Sequence, residues 1–454
     1  MTSALAKPVE TPRVLADQRD RRLAEDLFAE LRAATGDGVG ITRESFGPGE
    51  SRALDIVEAK ARALGLATER DAGANLVVTL EGREPDLPYL ACGSHLDSVP
   101  QGGNFDGAAG CVAGLAVLAG FRADGIRPRR TLKLFCLRGE ESAWFGRAYM
   151  GSNALFGRLT PEDLKAPHAV TGRPLADAMG DVGADMTRIA RGEPLIDAGR
   201  IAAWLELHIE QGPVLVARGL PVGIVTGIRG NLRHRVVECV GEAGHSGAVP
   251  RWLRRDAFFA SAELITHLDR HWRTLLERGR DLVVTSGIVG TDAAEHAIAR
   301  IPGLVRFSFE IRSQSRETLD AFYDLFISEC QGIGEERGVE FRLDRLMESA
   351  PAAMDQGWID RLRAAARALG LPDEPIPSGA GHDAAVFANA GVPSAMVFVR
   401  NEHGSHNPHE AMAIDDFLAG VAVMRHALAE AAASPDTAQP HGGRPSPRTG
   451  EDRR

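Results

Sequence analysis

Five short segments of this 454-residue chain combine imidazole and carboxylate side chains at spacings that suit chemistry. They are GSHLDS at 93–98, GGNFDG at 102–107, GEE at 139–141, ELHIEQGP at 206–213 and GSHNPHE at 404–410. Each segment lies at the end of a predicted strand or in the loop after it, where α/β proteins bind their ligands. The pattern therefore predicts that these segments contribute to one site.

Taken singly, each segment has an ordinary explanation. Asp106 opens a predicted helix and could be an N-cap, the pair Glu140–Glu141 could be a solvated turn, and His95 could be structural. Taken together, they supply a bridging Asp, three His and a Glu, which two metal ions about 3.5–4 Å apart require. A second Glu beside the ligand Glu could act as general base. Imidazole with carboxylate suits Zn²⁺, and also Mn²⁺, Co²⁺ or Ni²⁺.

In this order and spacing, the segments, together with SGAGHDA at 378–384, resemble the hydantoinase/carbamoylase amidase branch of the M20 metallopeptidase-like superfamily. The resemblance runs from about residue 20 to 430. ELHIEQGP is its most specific part, because it places His208 where the peptidase branches usually carry a carboxylate ligand.

The resemblance implies two divalent metal ions in each subunit. One would be held by His95, Asp106 and His208, and the second by Asp106, Glu141 and His406. Asp106 would therefore bridge the two ions.

The resemblance also implies catalytic roles outside the metal ligands. Glu140 would be the general base and Asp97 would orient His95. His245, in GEAGHSGAVPRWLRRDA, would polarise the scissile carbonyl, acting from the partner subunit of a homodimer. Arg312, in FSFEIRS, would hold the substrate carboxylate. The remaining implied positions along the substrate pocket are Gln211, Gly381 and His382.

Three positions depart from the family pattern. The usual Asn thirteen residues before the arginine aligns with Ala299, and His296 could take its place. Trp144 follows the Glu pair where an Arg is typical, and Arg251 replaces a common Met. We expect these changes to alter the rim of the pocket and to leave the metal site intact.

The function that these residues favour is metal-dependent hydrolysis of a carbon–nitrogen bond, other than a peptide bond, in a linear amide or amidine. The main prediction is an N-carbamoyl-L-amino acid hydrolase or a β-ureidopropionase-like relative, and the alternative is an allantoate or ureidoglycolate amidohydrolase of purine catabolism. His208 argues against an M20-type peptidase or aminoacylase. An inactive metal-binding scaffold is disfavoured because all five ligand positions and Glu140 are present.

Alternating strand and helix patterns predict an α/β fold with a mixed sheet. The predicted long helices are 21–34, 49–64, 106–123, 256–276, 315–336, 356–369 and 415–430, and residues 281–289 are predicted to be one strand. The composition changes at GIRG, residues 227–230, and a strand–helix–strand–strand–helix–strand unit of about 120 residues follows. The predicted parts are a catalytic domain over 1–228 and 348–433, an inserted lid and dimerisation domain over 229–347, and a disordered tail over 434–454. Residues 1–16 are predicted to be an irregular leader, and residues 154–200 an irregular segment near the site.

Composition limits the partners. The chain has 52 Lys+Arg and 62 Asp+Glu, a formal charge of −10, which argues against nucleic acid or an anionic membrane surface as the main partner. No stretch approaches the roughly 20 apolar residues of a membrane span. Five scattered cysteines form no disulfide framework, so we expect a reduced, cytoplasmic environment. The partner that the family resemblance implies is a small-molecule carboxylate substrate.

Overall fold

The structure, a computed structural model, describes residues 18–433. The predicted leader and the predicted disordered tail at 434–454 lie outside the described residues. Between them the chain forms two main sheets. In chain order the strands are β1 Ala67–Arg70, β2 Leu76–Leu80, β3 Tyr89–His95, β4 Leu132–Leu137, β5 Ile201–Ile209, β6 Val222–Ile228, β7 Gly230–Val240, β8 Gly244–His245, β9 Val283–Thr285, β10 Val289–Gly290, β11 Arg300–Ile301, β12 Leu304–Ser313, β13 Glu340–Leu343, β14 Met347–Ser349, β15 Ala352–Ala353, β16 Pro375–Ser378 and β17 Ser394–Val399.

The larger sheet has nine strands in the order β1-β2-β4-β3-β5-β17-β6-β15, with β16 paired to β6. Its centre is parallel, because β3 pairs in parallel with β4 and β5, and β17 pairs in parallel with β5. Strands β2 and β6 add antiparallel pairs. The fold class is therefore mixed α/β, as the sequence predicts.

The helices cover this sheet and the smaller one. They are α1 Gln18–Thr35, α2 Pro48–Ala63, α3 Ala108–Ala123, α4 Met150–Leu155, α5 Pro161–Leu164, α6 Leu175–Asp181, α7 Met186–Ile189, α8 Val214–Arg218, α9 Ala257–Glu277, α10 Arg316–Arg337, α11 Gln356–Ala368, α12 Asp383–Asn389 and α13 Ile414–Ala433. The long helices follow the predictions to within a few residues, since their apolar residues recur at helical spacing.

Helix α3 is buried along nearly its whole length. Its small residues let it lie close to the sheet: a β-carbon on Gly110 would lie 2.4 Å from the carbonyl oxygen of Leu207. A β-carbon on Gly114 would lie 2.6 Å from a Leu134 methyl carbon. This close packing holds the segment just before α3, which carries Asp106, against the ends of the central strands.

The smaller sheet has six antiparallel strands, in the order β10-β12-β7-β13, with β14 paired to β7 and β9 paired to β12. Helices α9 and α10 share an apolar core with it. The predicted strand 281–289 is wrong as one element, because it is divided into β9 and β10 around Gly287. The division of the chain at 228/229 and 347/348 stays a prediction.

Residues 154–200 form short helical elements. These elements pack around a third apolar core. That core includes Trp144 and Phe145, which directly follow the Glu140–Glu141 turn. Segment 154–200 therefore buries the turn that carries the two glutamates.

Candidate active site

Asp106 lies among the three histidines that the sequence singles out. Its Oδ1 is 3.5 Å from His95 Nε2 and 3.3 Å from His208 Nε2. Its Oδ2 is 3.4 Å from His406 Nε2, which is also 3.4 Å from Glu141 Oε1. The structure thus brings the five predicted ligands together in two groups that share Asp106.

Strand direction explains this convergence. His95 ends β3, Glu141 lies four residues beyond the end of β4, and His208 lies next to the end of β5. Because β3, β4 and β5 are mutually parallel neighbours, their carboxyl ends meet at one edge of the sheet. Asp106 reaches this edge just before α3, and His406 reaches it from the loop before α13.

The donor atoms are arranged for a cation on the His95–His208 side. His95 Nδ1 lies 3.1 Å from Asp97 Oδ1, and His208 Nδ1 lies 2.9 Å from the carbonyl oxygen of Ile209. A proton on each Nδ1 is donated to these oxygens, which leaves both Nε2 atoms on the side of Asp106. Asp106 Oδ1 is buried and has no hydrogen-bond partner among residues 18–433. A divalent cation would bind this oxygen and both nitrogens, in place of the hydrogen bond that His208 Nε2 accepts from the Gly107 amide at 3.2 Å.

Electrostatics supports an ionised Asp106. Burial raises the pKa of its carboxyl, but the surrounding imidazoles of His208, His406 and His95 outweigh burial, and the pKa lies well below its ordinary value. A carboxylate that stays ionised is available to bridge cations.

Asp97 ties His95 to the Glu140–Glu141 turn. Its carboxylate accepts hydrogen bonds from the backbone amides of Glu140 and Glu141, each at 3.1 Å, as well as facing His95 Nδ1. Burial raises the pKa of Asp97, yet His95, the Ser45 hydroxyl and the Glu141 amide bring it below its ordinary value. Asp97 therefore fixes the orientation of both the imidazole and the turn.

Glu140 lies beside the two groups without belonging to either. Its Oε2 is 3.9 Å from His95 Nε2, and the residue is buried. Burial raises the pKa of Glu140 well above its ordinary value, and the Glu141 and Asp383 carboxylates raise it further. A carboxylate with a raised pKa at this position is suited to accept and return a proton.

A third group of donor atoms, from Glu206, His208 and His382, lies behind His208. Its atoms already have partners: Glu206 accepts hydrogen bonds from Ser94 Oγ at 2.7 Å and from the amide of Ala384 at 2.8 Å. His382 Nε2 lies 2.9 Å from Ser378 Oγ. We therefore interpret this group as support for His208, whose ring centroid is 4.5 Å from that of His382.

Of the predicted substrate positions, Gln211 contacts the cluster and Arg312 contacts the loop at 379–382. Gln211 adopts a left-handed backbone with φ 62° and donates from Nε2 to Asp106 Oδ2 at 2.8 Å. Arg312 donates from Nη1 to the carbonyl oxygen of Gly379 at 3.0 Å, two residues before Gly381. Arg312 thus joins the smaller sheet to the loop that contains Gly381 and His382.

His245 and His296 are not brought into the cluster. Both are exposed, His245 in β8 and His296 in a turn before β11. His245 Nδ1 accepts a hydrogen bond from the amide of Gly247 at 3.2 Å, and His296 Nε2 lies 2.6 Å from Thr291 Oγ1. Within the part of one chain that the structure describes, neither has a hydrogen bond, ion pair or ring contact with the residues around Asp106.

The expectation that Trp144 alters the pocket rim is wrong. Trp144 is 5% exposed and belongs to the third apolar core. Its indole Nε1 donates to the carbonyl oxygen of Ser98 at 2.8 Å, and its ring stacks on His168 at a centroid distance of 5.5 Å. An indole fits here because the helices of 154–200 cover it.

Sequence analysis missed two residues that support the cluster. Glu410 accepts hydrogen bonds from the amide of Phe105 at 2.8 Å and from Ser405 Oγ at 2.7 Å. Arg43 is fully buried, and its Nε and Nη2 have no hydrogen-bond partner among the described residues. Burial lowers the pKa of Arg43, and the nearby carboxylates of Glu410, Asp106 and Asp97 oppose that lowering. The sequence signal for Glu410 was its place in GSHNPHE, whereas nothing in the spacing pointed to Arg43.

The fold and site together define a hydrolase with a candidate dinuclear metal centre. Residues 91–430 match the Peptidase family M20/M25/M40, and the chain belongs to this family, which is metal-dependent. Over 391 residues the chain is 36% identical to N-carbamoyl-L-amino acid amidohydrolase of Geobacillus stearothermophilus, covering 86% of this chain and 93% of that protein.

Two further comparisons agree with this assignment. Allantoate amidohydrolase of Escherichia coli is 30% identical, with 90% of this chain and 98% of that protein covered. A hydantoinase/carbamoylase family amidase from Burkholderia ambifaria, of known structure, is 32% identical with a TM-score of 0.79 over 91% of this chain and 98% of that one. This chain is accordingly an amidohydrolase-type enzyme acting on carbon–nitrogen bonds. No helix within residues 18–433 is long and apolar enough to cross a membrane.

Proposed function

We propose that this enzyme hydrolyses the linear carbon–nitrogen bond of an N-carbamoyl or ureido carboxylate, with N-carbamoyl-L-amino acids as its main substrates. The observation that carries the proposal is the arrangement around Asp106, which the two ligand groups share. Its neighbour His208 stands at the ligand position where the amidase branch carries an imidazole. The 36% identity to an N-carbamoyl-L-amino acid amidohydrolase supports it. Hydrolysis of allantoate or ureidoglycolate is the alternative, supported by the 30% identity to an allantoate amidohydrolase.

Two divalent ions are proposed for each subunit, Zn²⁺ or else Mn²⁺, Co²⁺ or Ni²⁺. His95, Asp106 and His208 would hold one ion, and Asp106, Glu141 and His406 the other. When bound, such a pair supplies Lewis acidity and lowers the pKa of a water molecule toward neutrality. The unpartnered Asp106 Oδ1 between two imidazole lone pairs supports the first position.

Glu140 is proposed as the general base. It takes a proton from the attacking water and delivers that proton to the leaving nitrogen, while Asp97 keeps the turn and His95 in place through the contacts described above. For a carbamoyl substrate the bond to the terminal nitrogen breaks, this nitrogen leaves as ammonia, and the carbamate that remains on the amino acid loses CO₂. The burial of Glu140 and its distance of 3.9 Å from His95 support this role.

The substrate carboxylate is proposed to pair with Arg312, whose planar guanidinium can bind a carboxylate through two hydrogen bonds. Its contact with the Gly379 carbonyl supports a position facing the loop at 379–382. Gln211, Gly381, His382 and His296 are proposed to line the same pocket. Gln211 is supported by its hydrogen bond to Asp106.

We also propose a homodimer in which His245 acts on the partner's substrate carbonyl. The support is an exposed apolar surface close to His245 in sequence, formed by Trp252, Leu253, Phe258 and Phe259, which are 82%, 66%, 54% and 57% exposed. Large apolar side chains exposed together are typical of protein–protein contacts. A second copy of this chain would cover them.

The domain division and the location are retained as proposals. The strands of the smaller sheet fall between Gly230 and Ser349, which supports an inserted unit close to the predicted 229–347. All five cysteines are free and buried, which supports a reducing, cytoplasmic environment.

An ammonia-release screen tests the proposed function. Apo-protein reloaded with Zn²⁺, Mn²⁺, Co²⁺ or Ni²⁺ is given N-carbamoyl-L-amino acids, β-ureidopropionate, allantoate, ureidoglycolate and dipeptides. We expect the highest kcat/KM on an N-carbamoyl-L-amino acid. Turnover of dipeptides alone would exclude the proposal, and a preference for allantoate would establish the alternative.

A further inference from the structure

Tyr149 has an unusual backbone next to the proposed general base. It is a non-glycine residue with φ 58° and ψ 34°, in the left-handed region, at the position just before α4. Its amide donates to the carbonyl oxygen of Glu140 at 2.9 Å, and its own carbonyl accepts from the amide of Asn153 at 2.8 Å. A bulky residue held in this conformation indicates a requirement for the direction of its side chain.

That direction places the Tyr149 hydroxyl against Gly381. A β-carbon at Gly381 would lie 1.6 Å from the hydroxyl oxygen, so only glycine leaves room for it. Two residues earlier in the same loop, the Gly379 carbonyl accepts the hydrogen bond from Arg312. The hydroxyl therefore lies between the Glu140 turn and the loop that meets Arg312.

Among residues 18–433, the Tyr149 hydroxyl makes no hydrogen bond, and it is not enclosed like the buried unpartnered atoms of Arg43 and Asp106. Burial and the nearby Glu140 carboxylate raise the pKa of Tyr149 well above its ordinary value, so the phenol stays protonated. A neutral hydroxyl can both donate and accept hydrogen bonds.

We propose that Tyr149 is a substrate-contacting residue whose hydroxyl accepts a hydrogen bond from the terminal –NH₂ of the ureido group. This rests on the proposed function, in which Glu140 delivers a proton to the leaving nitrogen. Tyr149 is hydrogen-bonded to the backbone of Glu140, and its hydroxyl meets the loop at 379–382. We therefore place the departing terminal nitrogen, which Glu140 protonates, against this hydroxyl. The contact selects a ureido group over an N-acyl group, which has no terminal nitrogen.

The test compares Tyr149→Phe with Tyr89→Phe, which removes the same atom at the start of β3. On an N-carbamoyl-L-amino acid, we expect Tyr149→Phe to lower kcat/KM tenfold or more and Tyr89→Phe to leave it unchanged. On the N-formyl counterpart, Tyr149→Phe should lower kcat/KM less than threefold. If the formyl compound is not turned over, its inhibition constant is compared instead. Metal content and Tm should match the wild type, since the hydroxyl has no partner to lose.

Two results would overturn the Tyr149 assignment alone: kcat/KM within twofold of wild type on the carbamoyl substrate, or equal losses on both compounds. Failure of the proposed function is a different observation, because the wild type itself would then release no ammonia from any ureido substrate. In that case both proposals would be withdrawn.

Discussion

Glu410 accepts a hydrogen bond from the backbone amide of Asp106 at 3.2 Å, although 304 positions separate the two residues. The hydroxyl of Ser405 lies within hydrogen-bond distance of both carboxylates. Gly103 leaves the space for this contact, because a β-carbon there would lie 2.1 Å from the Glu410 carboxylate. Glu410 thus connects the segment before α3 to the loop that carries His406, and so connects the two ligand groups.

We expect Glu410→Gln to weaken metal binding about tenfold, since residues that orient metal ligands typically contribute 10–100-fold to affinity. The substitution replaces one of the carboxylate oxygens that face Ser405 and the Phe105 and Asp106 amides with an –NH₂ group, which cannot accept a hydrogen bond. Isothermal titration of apo-protein with Zn²⁺ measures the effect, and Glu402→Gln on the exposed part of the same loop is the matched control. Equal affinities for the two variants would contradict this role.

Glu140→Gln should keep its metal content and lose about 10²–10⁴-fold in kcat, the range typical of general acid–base catalysis. The amide retains the size of the side chain but cannot accept the proton. Glu141→Gln is the contrasting variant, because it alters a proposed ligand and should lower the metal content. Near-normal turnover by Glu140→Gln would remove Glu140 from the mechanism.

The two proposed metal positions should differ in how quickly they lose their ion. His406 is 52% exposed by side-chain area, whereas His95 and His208 are 2% and 1% exposed. We expect a chelator to remove the ion on the His406 side first, so that metal content falls in two phases. Activity should fall with the first phase and return on adding the ion back. Loss of both ions in one phase would contradict the asymmetry.

Arg312→Ala should raise KM at least tenfold for carboxylate substrates and leave metal content unchanged, because hydrogen bonds to charged groups contribute about 1.5–3 kcal/mol. Arg316→Ala is the control: this arginine is exposed on the same stretch of chain and pairs with Asp320 and Glu348. Steady-state kinetics on a carboxylate substrate and on its amide derivative shows whether the rise in KM depends on the carboxylate. Unchanged KM for the carboxylate would refute the assignment.

A mixing experiment tests whether His245 acts across subunits. His245→Ala and Glu140→Gln should each be nearly inactive as homodimers. After dissociation and reassociation in a mixture, heterodimers would contain one site with both residues intact, and activity should return to roughly a quarter of the wild-type value at equal proportions. Absence of recovery, with heterodimers demonstrated by mass spectrometry, would argue that His245 acts within its own subunit or not at all.

The long elements were predictable because their signals are local. The apolar spacing in α1, α9 and α10 is visible within a single helix, and each observed range agrees with the prediction to within about three residues. The short strands β8, β11 and β14 were not predicted, since two or three residues hold too little pattern. Their place depends on the partner strand against which they pair.

By itself, the sequence determined the donor set, the amidase-like motifs and the mixed α/β fold class. Only the tertiary structure decided that Asp106 stands between His95 and His208, that Glu410 fixes its amide, that Trp144 is covered, and that the Tyr149 hydroxyl meets Gly381. The physical reason is distance along the chain. The spacing of apolar residues shows which face of a helix or strand is apolar. Contacts between residues hundreds of positions apart depend instead on how the strands and loops pack together.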